Sequence, residues 1–222
     1  MNYGQPTSAT AASPDAGRVN RFELTGSGQP SAGNFETALA RNRAFAAAGG
    51  HQGAVVFPNL RLFVVTCLDP RVDPAHFLGL GLSDAMVVRN VGGRVTPEVI
   101  NDIAFISQIS ETVMPEGPLF EVAVIHHTQC GAGALADEGF RRRYAGRIGA
   151  DESELHDHAV IDPAATVTSD VERLRAAPAI PPRVRVSGHV YDVVTGLVQT
   201  IVPAGHAADP NTTGAAEGEP VR

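Results

Sequence analysis

Cys67, His127 and Cys130 are the side chains of this sequence whose types and spacing suit a soft divalent ion. Two thiolates and one imidazole favour zinc over magnesium or calcium. Three protein ligands leave a fourth tetrahedral position open, which marks a catalytic site rather than a structural one. His127 and Cys130 stand three apart in His127-Thr128-Gln129-Cys130, and Cys67 lies 60 residues earlier in the stretch VVTCLDPRVDP. His-x-x-Cys alone is a weak pattern. A free cysteine often does no more than fill a core, but that reading leaves unexplained why both cysteines of the chain fall at predicted strand ends. In a reducing compartment, two cysteines are more often metal ligands or catalytic groups than a disulfide.

Asp69 and Arg71 follow Cys67 directly. A centre with two thiolates and a neutral imidazole carries almost no net charge and acidifies its bound water less than an all-histidine one. A nearby carboxylate can accept the hydrogen bond of a bound hydroxide and orient it, but left unrestrained it would become the fourth ligand. An arginine two residues on can hold it in a bidentate pair. An ordinary surface ion pair is worth little and has no reason to flank a cysteine. A cysteine phosphatase loop fails because Arg71 lies too close to Cys67, and Gly131-Ala132-Gly133 lacks the third glycine of a dinucleotide loop.

The elements that must position these residues alternate. Residues 34–48 have a helical spacing of Ala, Leu and Phe that ends at a Gly-Gly pair. Leu62 to Thr66, Ala85 to Arg89 and Leu119 to Ile125 read as short strands. Asp73-Pro74 and Thr96-Pro97 read as cap-plus-proline helix starts, the first helix running to Leu80. The second carries an apolar stripe through Val99, Ile100, Ile103, Ile106 and Val113. A helix is predicted after Gly131-Ala132-Gly133 and another over 166–177, and 183–202 reads as strand, turn, strand. Strands separated by helices imply an α/β fold with a mostly parallel sheet covered on both faces. Sites in such sheets form beyond the carboxyl ends of the strands, where Cys67 and His127 to Cys130 fall.

Composition narrows the function. The formal charge is -7, and all 17 basic residues are arginine. With no basic surface to expect, nucleic acid and anionic membrane are poor partners. With no lysine, Schiff-base, pyridoxal-phosphate and P-loop chemistry are excluded. No apolar run reaches the roughly 18 residues of a membrane span. The polar N-terminal stretch does not read as a secretory signal, so a cytoplasmic protein is expected. Residues 1–33 and 204–222 are rich in small polar residues, Gly and Pro and read as disordered, leaving 34–203 as one zinc-binding α/β domain.

Cys67-Leu68-Asp69-Pro70-Arg71 together with His127-Thr128-Gln129-Cys130 resembles the β-class carbonic anhydrases. The similarity runs over roughly 35–203, with Arg89-Asn90-Val91-Gly92-Gly93 and Gly188-His189-Val190-Tyr191-Asp192 as further matching segments. The resemblance implies zinc on Cys67, His127 and Cys130 with water or hydroxide in the fourth position, and an Asp69–Arg71 dyad. It also implies reversible hydration of carbon dioxide to bicarbonate and a proton by attack of that hydroxide. A sheet of four parallel strands plus an antiparallel edge strand is implied as well. So is a homodimer or dimer of dimers, with the 34–48 helix embracing the partner. The sequence departs from the family at Pro70, where Ser or Ala is common, and at Pro58 and Asn59, where many members have a substrate-contacting glutamine. With no Trp in the chain, the bicarbonate-regulated pocket of some members is not expected. Two rival readings are a carbonyl sulfide or carbon disulfide hydrolase on the same scaffold, and a non-enzymatic zinc or redox protein closed by Asp69. His126 reads as a packed neighbour of His127 or as a competing ligand, and His76 and His189 are candidate proton shuttles.

Overall fold

A computed structural model describes residues 34–116 and 119–207, so the tails read above as disordered lie outside the described residues, apart from 204–207. Apolar β-branched runs become the strands. Leu62–Cys67 (β1), Ala85–Asn90 (β2), Glu121–His127 (β3) and Arg185–Tyr191 (β4) run parallel, and Val198–His206 (β5) returns antiparallel beside β4. The order across the sheet is β2-β1-β3-β4-β5. The expected α/β architecture of four parallel strands and one antiparallel edge strand is the observed one.

The helices are Asn34–Ala47 (α1), Pro74–Phe77 (α2), Pro97–Val113 (α3), Glu138–Ile148 (α4), Glu152–Asp157 (α5) and Pro163–Arg175 (α6). Their starts follow side-chain capping. Thr96 accepts from the Val99 amide and Asp162 from those of Ala164 and Ala165, each ahead of a proline whose missing N–H costs nothing there. The helix expected after Gly131-Ala132-Gly133 is α4, which begins at Glu138 once a 3-10 segment, Gly131–Ala136, has intervened. Glycines nucleate a helix poorly, and Asp137 is the first residue there whose side chain caps one. The short helix after Asp73 is a single turn that ends at Phe77, not Leu80. β3 continues past Ile125 because His126 and His127 still pair with Val190 and Tyr191.

One sheet face, carrying Phe63, Val65, Val122, Val124 and Val186, is covered by Val99 and Ile103 of α3 and Val167, Val171 and Leu174 of α6. Each fully buried aliphatic side chain contributes about 1.5–3 kcal/mol, so these faces hold both helices down. α6 approaches so closely that a Cβ on Gly188 would lie 2.9 Å from Val171 Cγ2. The opposite face centres on Val64, Ala123 and Ile125, with Phe77 stacked on Tyr191 at 4.4 Å. Because β1 and β3 are parallel neighbours in register from Leu62↔Glu121 to Thr66↔Ile125, their carboxyl ends deliver Cys67 and His127 side by side. Among the described residues, no helix is long and apolar enough to cross a membrane.

Candidate metal centre

Ligand atoms of Cys67, His127 and Cys130 all lie within 4.8 Å of one another. The two sulfurs are 3.9 Å apart, and neither cysteine is in a disulfide. Two thiolates bound tetrahedrally at 2.3 Å stand about 3.8 Å apart, so the spacing suits a shared zinc. The imidazole is prepared in the same sense. His127 is fully buried and its Nδ1–H donates to the Thr128 carbonyl at 2.9 Å, which leaves Nε2 with a free lone pair. That Nε2 is buried and has no hydrogen-bond partner. An orphaned buried nitrogen is costly unless something binds it, and an imidazole fixed through its other nitrogen is how a metal ligand is oriented. The donor set fits a zinc ion.

The Cys130 thiol beside it pulls Cys67 down to about 4 against the effect of burial, helped by His127 and by the backbone of Asp69 and Gly92. Cys130 is pushed up by the same contact, by burial and by the charge on Cys67. A preformed thiolate is the state a metal ligand must reach.

Asp69 stands beside this set without belonging to it. Its Oδ1 accepts from the Arg71 amide at 2.9 Å and from Arg71 Nε at 3.0 Å, and its Oδ2 accepts from Arg71 Nη2 at 2.7 Å. The Arg71 hydrogen bond, opposed by partial burial, holds the Asp69 carboxyl below its ordinary range. Arg71 Nη2 also donates to the Gln129 carbonyl at 3.0 Å, tying the Cys67 loop to the His127–Cys130 loop. Gln129 turns that second loop at φ 56, a left-handed conformation that costs a non-glycine residue about 1 kcal/mol or more.

The ligand and dyad residues foreseen in the sequence therefore come together, and Arg89 and Gly93, named there only within a matching segment, take specific positions beside them. Arg89 donates to the carbonyls of Cys67 at 3.0 Å and Asp69 at 2.7 Å and pairs with Asp73 at 3.2 Å. Gly93 lies against the Cys67 backbone with φ +68, and a Cβ there would meet Cys67 N at 2.8 Å. His126 faces away from the ligand set, as strand alternation requires, with Nδ1 2.8 Å from Thr166 Oγ1 and Nε2 3.2 Å from Asp170 Oδ2. It is no competing ligand in this structure. His189 is hydrogen-bonded through both ring nitrogens, to Ser187 and Thr200.

A family model described as carbonic anhydrase matches residues 62–198. The chain belongs to the β-carbonic anhydrase family. It is 29% identical over 160 residues to "Beta-carbonic anhydrase 1" of Mycobacterium tuberculosis, covering 70% of this chain and 91% of that relative. A solved carbonic anhydrase from Streptococcus mutans superposes with a TM-score of 0.63 at 33% identity, covering 75% of this chain and 96% of the other. A "Carbon disulfide hydrolase" of an Acidianus species is 31% identical over 160 residues, covering 62% of this chain and 75% of that relative. The β-carbonic anhydrase family is zinc-dependent.

Proposed function

We propose that Cys67, His127 and Cys130 hold a zinc ion and that the enzyme reversibly hydrates carbon dioxide to bicarbonate and a proton. The observation that carries this reading is the buried, unpartnered His127 Nε2 set among two free sulfurs. When bound, the ion supplies Lewis acidity that makes water a nucleophile near neutral pH.

The chain's own residues supply orientation. Asp69 stays ionised because Arg71 stabilises the charged form, so it can only accept hydrogen bonds. An attacking oxygen that donates its hydrogen to Asp69 points a lone pair away from the carboxylate, toward the substrate carbon. Arg71 does a second job. By engaging both Asp69 oxygens it keeps the carboxylate from turning onto the metal position. The non-enzymatic reading, in which Asp69 closes the site, has no support in this arrangement.

A second reading keeps the same site and attacks the carbon of carbon disulfide or carbonyl sulfide. Its support is the relative at 31% identity that bears the hydrolase name, and linear triatomic substrates present the same electrophilic carbon. Turnover of carbon dioxide and of both sulfur gases on one preparation separates the two: faster carbon dioxide hydration supports the first, and sulfide release without hydration overturns it.

We also infer a homodimer or a dimer of dimers. Phe35 and Phe45 on α1 and Phe105 on α3 are 73%, 45% and 65% exposed, large apolar side chains that a second copy of the chain would cover. A sedimentation coefficient of a monomer at micromolar concentration would contradict this. A cytoplasmic setting, which is reducing, suits two free thiols in a metal set.

A further inference from the structure

We propose that Asp170, on α6 and outside the ligand set, is a positioning residue that fixes both walls of the metal centre through one carboxylate. The inference rests on the zinc reading given above. Arg94, His126 and Asp170 are 4%, 0% and 0% exposed, so three ionisable side chains sit together in the interior. Asp170 Oδ2 accepts from Arg94 Nε at 2.7 Å and from the Val95 amide at 3.1 Å, and Oδ1 accepts from Arg94 Nη2 at 3.1 Å. His126 Nε2 lies 3.2 Å from Oδ2, in contact but not aligned as a hydrogen bond.

Each contact leads to one wall. Arg94 closes the loop that leaves β2: Asn90 accepts from the Arg94 amide and donates to its carbonyl, both at 2.8 Å. Arg94 Nη1 also donates to the Asp157 carbonyl at 2.6 Å, anchoring the loop end to the segment before α6. Inside that closed loop Gly93 rests on the Cys67 backbone, so a displaced Arg94 frees the wall behind one sulfur. The other contact reaches β3, where His126 immediately precedes His127 on the opposite face. With Thr166 on its Nδ1 and Asp170 near its Nε2, His126 sets the strand end from which His127 projects.

A purely architectural role fits poorly. Burying a charge cluster costs desolvation that apolar side chains of similar volume avoid, so stability alone does not require it. What apolar packing cannot do is fix Arg94 and the Val95 amide by directional bonds on one side of a carboxylate whose other side rests against His126.

The test compares Asp170→Asn with Val171→Ala, which removes packing at the next residue without touching the carboxylate, in the full-length chain. Zinc affinity is read by chelator competition, and ligand geometry by the thiolate charge-transfer and d–d absorption of the cobalt-substituted protein. Asp170→Asn is expected to weaken zinc binding roughly 10- to 100-fold and to shift the cobalt bands. Val171→Ala is expected to lower stability with both readouts unchanged. A folded Asp170→Asn with wild-type affinity and spectrum overturns the proposal, as does an equal loss in Val171→Ala. If Asp170→Asn does not fold, the neutral pair Arg94→Gln with Asp170→Asn replaces it under the same criteria. If that pair also fails, the wild-type protein decides. Coupling is reciprocal, so zinc must slow amide exchange at Val95 more than at the remote Val184, and equal slowing contradicts the proposal. A wild-type chain that binds no zinc, or binds it undiminished with Cys67→Ser, sinks the zinc reading instead.

Discussion

Two Asp–Arg pairs in this enzyme use the same fork of hydrogen bonds in opposite surroundings. Asp69 and Arg71 are two residues apart, and their side chains are 15% and 48% exposed. Asp170 and Arg94 are 76 residues apart, and theirs are 0% and 5% exposed. Partly open to water, the first pair contributes little to folding and leaves its carboxylate near the surface. Shut away from water, the second can touch no substrate, but breaking it leaves an uncompensated charge in the interior. Chemistry alone does not assign a role to an ion pair; its surroundings do.

The comparison is broken most directly by neutralising each carboxylate in turn. Asp69→Asn is expected to lower carbon dioxide hydration by about 10²- to 10⁴-fold while moving stability by no more than about 1 kcal/mol and leaving zinc bound. Stopped-flow hydration with metal analysis checks this, and wild-type turnover would remove Asp69 from the mechanism. Asp170→Asn is expected to cost about 3–5 kcal/mol in denaturant unfolding. A loss below about 1 kcal/mol would make the two pairs equivalent.

Gly93→Ala sharpens the contrast from the backbone side. A methyl group forced against Cys67 N at φ +68 is expected to cost about 1–3 kcal/mol and to perturb the cobalt spectrum. Unchanged stability would show that the wall behind Cys67 yields freely.

Acid titration gives the smallest effect. Burial raises the Asp170 carboxyl, but His126 and Arg94 outweigh it, and the group lies below its ordinary 3.8. A carboxyl depressed by folding contributes stability above its ordinary value and loses it as pH falls through the folded one. The unfolding free energy of the wild type should therefore drop below about pH 4, and that of Asp170→Asn should drop less steeply. Parallel acid limbs would mean that Asp170 is not ionised in the fold.

The same contrast explains what could be read from the sequence. Cys67, Asp69 and Arg71 were visible because they sit within five residues on one loop, where residue type and spacing carry the chemistry. His127 and Cys130 were visible for the same reason, and the strands themselves followed from apolar runs separated by capped helices, whereas their order across the sheet did not. Arg94 and Asp170 gave no signal, since only the packing of α6 on β3 and β4 brings them together. A helix after Gly131-Ala132-Gly133 was legible, but its first residue was not, because the cap at Asp137 sets it. His126 and His127 could not be told apart by type, and the direction of β3 decided between them.

The central claim is one zinc ion held by Cys67, His127 and Cys130 in a site that hydrates carbon dioxide. Metal analysis and stopped-flow hydration on the same purified protein test it together. The account predicts one zinc per chain, with hydration lost on chelation and recovered on adding zinc back. Full hydration by metal-free protein, or one zinc per chain retained by Cys67→Ser, would contradict it.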